Sequence, residues 1–170
     1  MVPTRQMCEQ MWEDKGLTDG LKKHLAAVAD LAVRIGTALN QKGFALNIPL
    51  IEAAALLHDI EKGIPHHAVT GAKTLETLGF TEIAPIVKFH MRLPDGFQPE
   101  ITELTVVFLA DKLFIGSQSV SLQKRYAEKL SAYQDDPPAL QTIRKQLEIS
   151  LNLEKRMKTV LGVDSLILLS

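Results

Sequence analysis

One stretch carries more chemistry than any other: Ala53-Ala54-Ala55-Leu56-Leu57-His58-Asp59-Ile60-Glu61-Lys62-Gly63. An apolar helical run ends there in an adjacent histidine and aspartate. An unpaired carboxylate in apolar surroundings is strongly disfavoured, and a cation is the simplest partner for both side chains. Imidazole and carboxylate together suit iron, manganese, cobalt, nickel or zinc. The other candidate ligands are dispersed along the chain. Of the five histidines, His24, His58, His67 and His90 fall on four different segments of helical pattern, each near a helix end or a loop. Asp111 interrupts Val106-Val107-Phe108-Leu109-Ala110 much as Asp59 ends its own apolar run. A lone histidine is usually an ordinary core or surface residue. Four of them with two carboxylates in apolar helices make a coherent metal site, provided that the helices converge.

The elements that must position these groups are helical. Leu, Ala and Ile dominate the apolar set, aromatics are few and β-branched alternation is scarce. A short leading helix is predicted over 3–15, ending at Gly16. Thr18 or Asp19 caps the next, which runs to about Gly43 with Leu21, Leu25, Val28, Leu31, Ala32, Ile35 and Leu39 on one face. His24 lies at the edge of that stripe. Asn47 caps a third helix, with Pro49 in its first turn. Gly63 and Pro65 then make 61–65 a loop. A helix over 66–78 contains Gly71, which weakens it by about 1 kcal/mol against Ala, so another backbone is expected to pass close by. A further helix from Thr81 to about Met91 bears His90 at its end. Arg92 to Pro99 is the clearest loop, and a helix over about 102–115 carries Asp111. Two amphipathic helices, about 121–134 and 138–161, close the chain. The fold class is therefore all-α. A single domain over 1–170 is expected, its metal-site core at about 18–116, since no repeat or linker divides it.

Composition narrows the function classes. Nearly half of the 170 residues are hydrophobic and the formal net charge is −1, which leaves no electrostatic footprint for nucleic acid or an anionic membrane surface. Cys8 is the sole cysteine, so neither a disulfide framework nor a thiolate metal site is available. No apolar run reaches the roughly 18 residues of a spanning helix, and no signal-peptide pattern opens the chain. A soluble, cytoplasmic protein is expected.

The order His24, then His58-Asp59, then Asp111 resembles the HD-domain metal-dependent phosphohydrolase superfamily. The surrounding phrases agree: Ala27-Val28-Ala29 after His24, Ala54 to Lys62, His67-Ala68-Val69-Thr70-Gly71-Ala72, Ile86 to His90, and Leu109-Ala110-Asp111-Lys112. Gly79-Phe80 and Ser121 to Tyr126 are similar to small HD domains found alone or fused to molybdenum-cofactor nucleotidyltransferase-like modules. The resemblance implies an HD-type helical bundle. It makes His24, His58, Asp59 and Asp111 the core metal ligands. It gives His67 and His90 to a second metal, with Asp59 bridging, as in members with a dinuclear centre. Many relatives hold one ion, and Met91 stands where some two-metal members have a further histidine, so one or two divalent ions are both open. Iron or manganese is favoured; nickel, cobalt, zinc and magnesium also fit. His66 is expected to be exposed, replacing His67 only if the helix register differs.

The activity implied is hydrolysis of a small phosphorylated metabolite, a nucleotide first among them, by metal-activated water. Lys62, one turn after His58-Asp59, matches a lysine that related proteins point at a substrate phosphate, and Arg92 is placed to do the same from its loop. Asp59 and Glu61 are conceivable proton carriers. Arg125 is expected to pair with a helix carboxylate, and Lys112 to point away from the site. The adjoining loops are short, which predicts an open, shallow pocket. Bacterial HD proteins that split diadenosine tetraphosphate symmetrically share the His67-x-x-x-Gly71-Ala72 and Ala110-Asp111-Lys112 phrases, so a dinucleoside polyphosphate is one specific alternative. The others are a di-iron oxygenase and a non-catalytic module that senses a nucleotide or binds a partner. The apolar faces of the last two helices either complete the core or build a homodimer.

Overall fold

Six polar residues start helices by the same device. The side chains of Thr4, Thr18, Asn47, Thr102, Ser121 and Asp136 each accept a backbone N–H from three residues on, satisfying a donor that the helix itself leaves unpaired. In the computed structural model, which describes residues 1–94, 96–97 and 100–169, the elements run in order. They are α1 (Arg5–Asp14), α2 (Asp19–Gln41), α3 (Ile48–Leu57), α4 (His67–Thr77), α5 (Ala84–Phe89), α6 (Glu103–Lys112), β1 (Phe114–Ile115), β2 (Gln118–Ser119), α7 (Leu122–Ala132) and α8 (Pro137–Leu161). Among the described residues the fold is all-α apart from this one small hairpin. Part of the Arg92–Pro99 loop, namely Asp95, Gln98 and Pro99, lies outside the described residues.

The core forms around α3. Its sequence is apolar on every side except Glu52, and Ile51 and Ala53 to Leu57 are buried. It packs against α1, α2, α5 and α6, while α2 also meets α6 and α8. The α2–α3 approach is close: a Cβ on Gly36 would lie 2.8 Å from the Ile51 Cδ1. At the far end of α3 the carbonyl of Leu56, without a helical donor of its own, accepts the Trp12 indole N–H at 2.8 Å. That bond seats α1 over the end of α3, next to His58 and Asp59.

Three expectations need correction. The helix carrying His90 starts at Ala84, not Thr81, because Pro85 fits only the first turn of a helix. What approaches Gly71 is side chain, not backbone: its Cβ would meet the Val87 Cγ1 at 3.3 Å and the Ile60 Cγ2 at 3.4 Å. Finally, α6 stops at Lys112 and the chain reverses at once. Phe114 pairs with Ser119 and Ile115 with Gln118 across the turn Gly116-Ser117, where Gly116 takes the positive φ that a two-residue hairpin turn requires.

Candidate metal centre

Four residues from three helices and their ends aim side chains at one point. His24 comes from the second turn of α2, His58 and Asp59 from the turn after α3, and Asp111 from the last turn of α6. All four are buried. The His24 Nε2 stands 3.2 Å from the His58 Nε2. The Asp111 Oδ1 lies 3.3 Å from the first and 3.6 Å from the second. The Asp59 Oδ2 lies 3.9 Å from His24 and 3.7 Å from His58. The other ring nitrogens are engaged. His24 Nδ1 bonds to the Gly116 carbonyl at 2.8 Å, and His58 Nδ1 to the Ala55 carbonyl at 2.7 Å. A carbonyl only accepts, so each Nδ1 carries the hydrogen, and in the neutral ring Nε2 presents a lone pair. Two lone pairs 3.2 Å apart repel unless a proton or a cation lies between them.

A second group shares Asp59. Its other oxygen, Oδ1, stands 2.9 Å from His67 Nε2 and 3.3 Å from His90 Nε2. His90 Nδ1 donates to the Val87 carbonyl at 2.6 Å, again turning Nε2 inward. Yet Asp59 Oδ1, His67 Nε2 and His90 Nε2 are all buried without a hydrogen-bond partner. Buried polar atoms are almost always satisfied, so three unsatisfied ones converging on a common point call for a positive centre between them. His24, His58 and Asp59 form one set of atoms within 4.8 Å of one another, and Asp59, His67 and His90 form another. The donor set fits divalent transition metals. His67 is delivered by backbone strain: His66, just before α4, has φ 55°, the one positive φ outside glycine among the described residues. His66 itself is exposed, as expected.

Electrostatics keep the carboxylates charged. Burial disfavours ionised Asp59, but His90, His58 and Lys62 outweigh it and hold its pKa below the ordinary range. Burial opposes Asp111 too, and Lys112 and His24 overcome it. Burial pushes His90 down to about 4. His58 moves the other way, because Asp111 outweighs its burial.

The remaining expected residues divide. Lys62 donates to the Asp59 Oδ2 at 2.8 Å and lines a cavity of about 290 Å³ with His24, Asp59 and Asp111. Arg92 lies outside that cavity, in a separate depression with His66, His67 and Lys88. Glu61 is committed elsewhere: its carboxylate accepts from Lys15, at the end of α1, and from Thr74 on α4, which makes it a tie between helices. Lys112 corrects the expectation that it points away. It is 1% exposed, and its Nζ donates to the Asp111 Oδ2 at 2.6 Å and to the His90 carbonyl at 2.8 Å. Arg125 makes no carboxylate pair among the described residues and instead lines the 290 Å³ cavity with Lys129. Sequence reasoning misses Lys129 and the Gly116 carbonyl. The four-residue spacing of Arg125 and Lys129 is the available signal for one of them.

Comparison with known proteins agrees with this geometry. A family model described as HD domain matches residues 21–115. The chain is 33% identical, over 142 residues, to a tRNA (cytidine(56)-2'-O)-methyltransferase of Thermoplasma volcanium; the match covers 73% of this chain and 40% of that protein. It is 28% identical to the uncharacterized protein MJ0778 of Methanocaldococcus jannaschii, with 66% of this chain and 79% of that one covered. The chain thus spans well under half the length of the methyltransferase. No solved structure matches at a significant level. Among the described residues no helix is long and apolar enough to cross a membrane.

Proposed function

Since the chain belongs to the HD-domain family, we propose that it is a metal-dependent phosphohydrolase acting on a small phosphorylated metabolite, a nucleotide first among them. The observation that carries this reading is the trio of buried, convergent, unpartnered ligand atoms on Asp59, His67 and His90. His24, His58, Asp59 and Asp111 would hold one ion, and Asp59, His67 and His90 a second, with iron or manganese suited to this mix of imidazole and carboxylate. A metal held there would supply Lewis-acid chemistry toward a phosphoryl oxygen and a bound water.

The chain's own groups do the rest. The carbonyls of Ala55, Val87 and Gly116 fix ring orientation by accepting from His58, His90 and His24, a restraint that supports ligand basicity. Lys112 holds the outer oxygen of Asp111 and leaves Oδ1 facing the histidines. Lys62, half-exposed beside Asp59, is placed to donate to a phosphoryl oxygen entering the cavity. Arg92 flanks the same region from its own depression. The likeness to a tRNA methyltransferase, confined to 40% of that protein, we read as a shared HD-type unit and not as shared methyl transfer.

The test is phosphate release by protein loaded with Mn(II), or with Fe(II) under anaerobic conditions. A panel of nucleoside mono-, di- and polyphosphates and generic phosphoesters serves as substrate. Metal-dependent turnover of at least one compound, lost in Asp59→Asn, is expected. Folded, metal-loaded protein inert on the whole panel would overturn the reading.

A further inference from the structure

The cavity beside the centre has two differently charged walls. On one, Lys62 neutralises Asp59, and behind that wall the buried Lys112 neutralises Asp111. On the other, α7 presents Arg125 and Lys129, four residues apart and so on one helix face, both lining the cavity with His24, Asp59 and Asp111. Neither has a carboxylate partner among the described residues. The Arg125 Nε is buried without any hydrogen-bond partner, and the Lys129 Nζ sits 5.7 Å over the Tyr126 ring. With the two lysine–aspartate pairs cancelling, two cations remain uncompensated before any metal is bound. Burial, with the like charges of Lys112 and Arg125, pushes Lys129 down to about 8. Leaving a buried guanidinium donor unsatisfied is costly, and its fork suits phosphate.

We propose that Arg125 and Lys129 form a second anion subsite, so that the ligand of this cleft carries at least two linked phosphoryl groups, one at the metal centre and one against α7. The inference rests on the phosphohydrolase reading above and names its substrate class: nucleoside di- or polyphosphates in preference to monophosphates. A cavity of about 290 Å³ is at the small end of ligand sites, roughly 300 to 1,000 Å³. It takes the phosphoryl groups and leaves the nucleoside outside.

The test is calorimetric titration of Mn(II)-loaded protein with inorganic phosphate, adenosine monophosphate and the non-hydrolysable α,β-methylene analogue of adenosine diphosphate, with metal content checked after each run. The diphosphate analogue should bind at least about tenfold tighter than the monophosphate, the size of one hydrogen bond to a charged group. Arg125→Gln with Lys129→Gln should bring the two within about threefold. Lys129→Gln alone, on the half-buried face of α7, should remove part of the preference and stands in if the double variant does not fold. Equal affinities in the unaltered protein, or a preference that survives both substitutions, would overturn the subsite. Phosphate binding by the Mn(II) form separates the two readings. If phosphate binds but the diphosphate has no advantage, only the subsite fails. If no phosphorylated probe binds at all, the phosphohydrolase reading fails with it.

Discussion

The two ligand groups that share Asp59 are built to different standards. In the first, His24 comes from the long α2 and His58 from the buried end of α3, each ring held through Nδ1 by a backbone carbonyl. Asp111 is held through its second oxygen by Lys112. In the second, His90 is held in the same way, but His67 is not. It follows the turn Lys62 to Pro65 and the strained His66, has 17% of its side chain exposed, and has no hydrogen bond to either ring nitrogen among the described residues. A ligand whose orientation is fixed before binding costs less entropy to engage. On the proposed reading the first group would therefore be the tighter site. The second depends on how well α4 stays docked on α5, where Gly71 permits the close approach to Val87.

Substituting the shared residue should erase the distinction with the largest effect. Asp59→Asn is expected to lose both ions and to lower hydrolysis by at least about 10³-fold, the upper end for removal of a single stabilising donor; metal analysis and initial rates check it. Lys112→Met acts mainly on the first group, through Asp111, and also removes the donor to the His90 carbonyl. It leaves Asp111 buried without its cation, and loss of one partner of such a pair costs about 3 to 5 kcal/mol. Urea unfolding should show that loss in chelator and a smaller one with Mn(II) bound.

Titration separates the groups by sign. Unfolded His90 gains a proton near pH 6.5, while the folded residue resists until about 4. Metal-free protein should accordingly lose stability as pH falls through that window, by at most about 3 kcal/mol. His58, with its pKa raised, contributes stability that is fully present below about 6.5 and fades as pH rises above it. Stability of the metal-free form should thus peak near pH 6.5. The carboxylates, held low, add a further loss below about pH 4. Unfolding curves of His90→Leu should be flatter between about 4 and 6.5 than those of the unaltered protein. The smallest effect belongs to His67→Ala: a stability change within about 1 kcal/mol, as for partly exposed side chains, with the first metal retained.

Ligand types are legible in the sequence because a polar residue that ends an apolar helix must find a partner where water is scarce. His58, Asp59 and Asp111 stand out on that ground and His24 through the HD-type order of residues, as do the helices that carry them, through their caps and the positions of Gly and Pro. What stays hidden depends on side-chain reach and on where helices stop. Lys112 follows Asp111 by one residue, which on a continuing helix turns it away. Because α6 ends there, its long chain folds back to Asp111 and the His90 carbonyl. The hairpin that supplies the Gly116 carbonyl reads as the tail of a helix, since Phe114 and Ile115 suit either state. Arg125 reads as one half of a helix ion pair, and only the placement of α7 across the cavity shows otherwise.

The central proposal is that the two groups sharing Asp59 would each hold an ion, and counting metal tests it most directly. Protein purified without chelator or added metal, analysed by inductively coupled plasma mass spectrometry, should hold close to two equivalents of a divalent transition metal. His67→Ala should hold close to one. Folded protein with none, or with a single equivalent unchanged in His67→Ala, would contradict it.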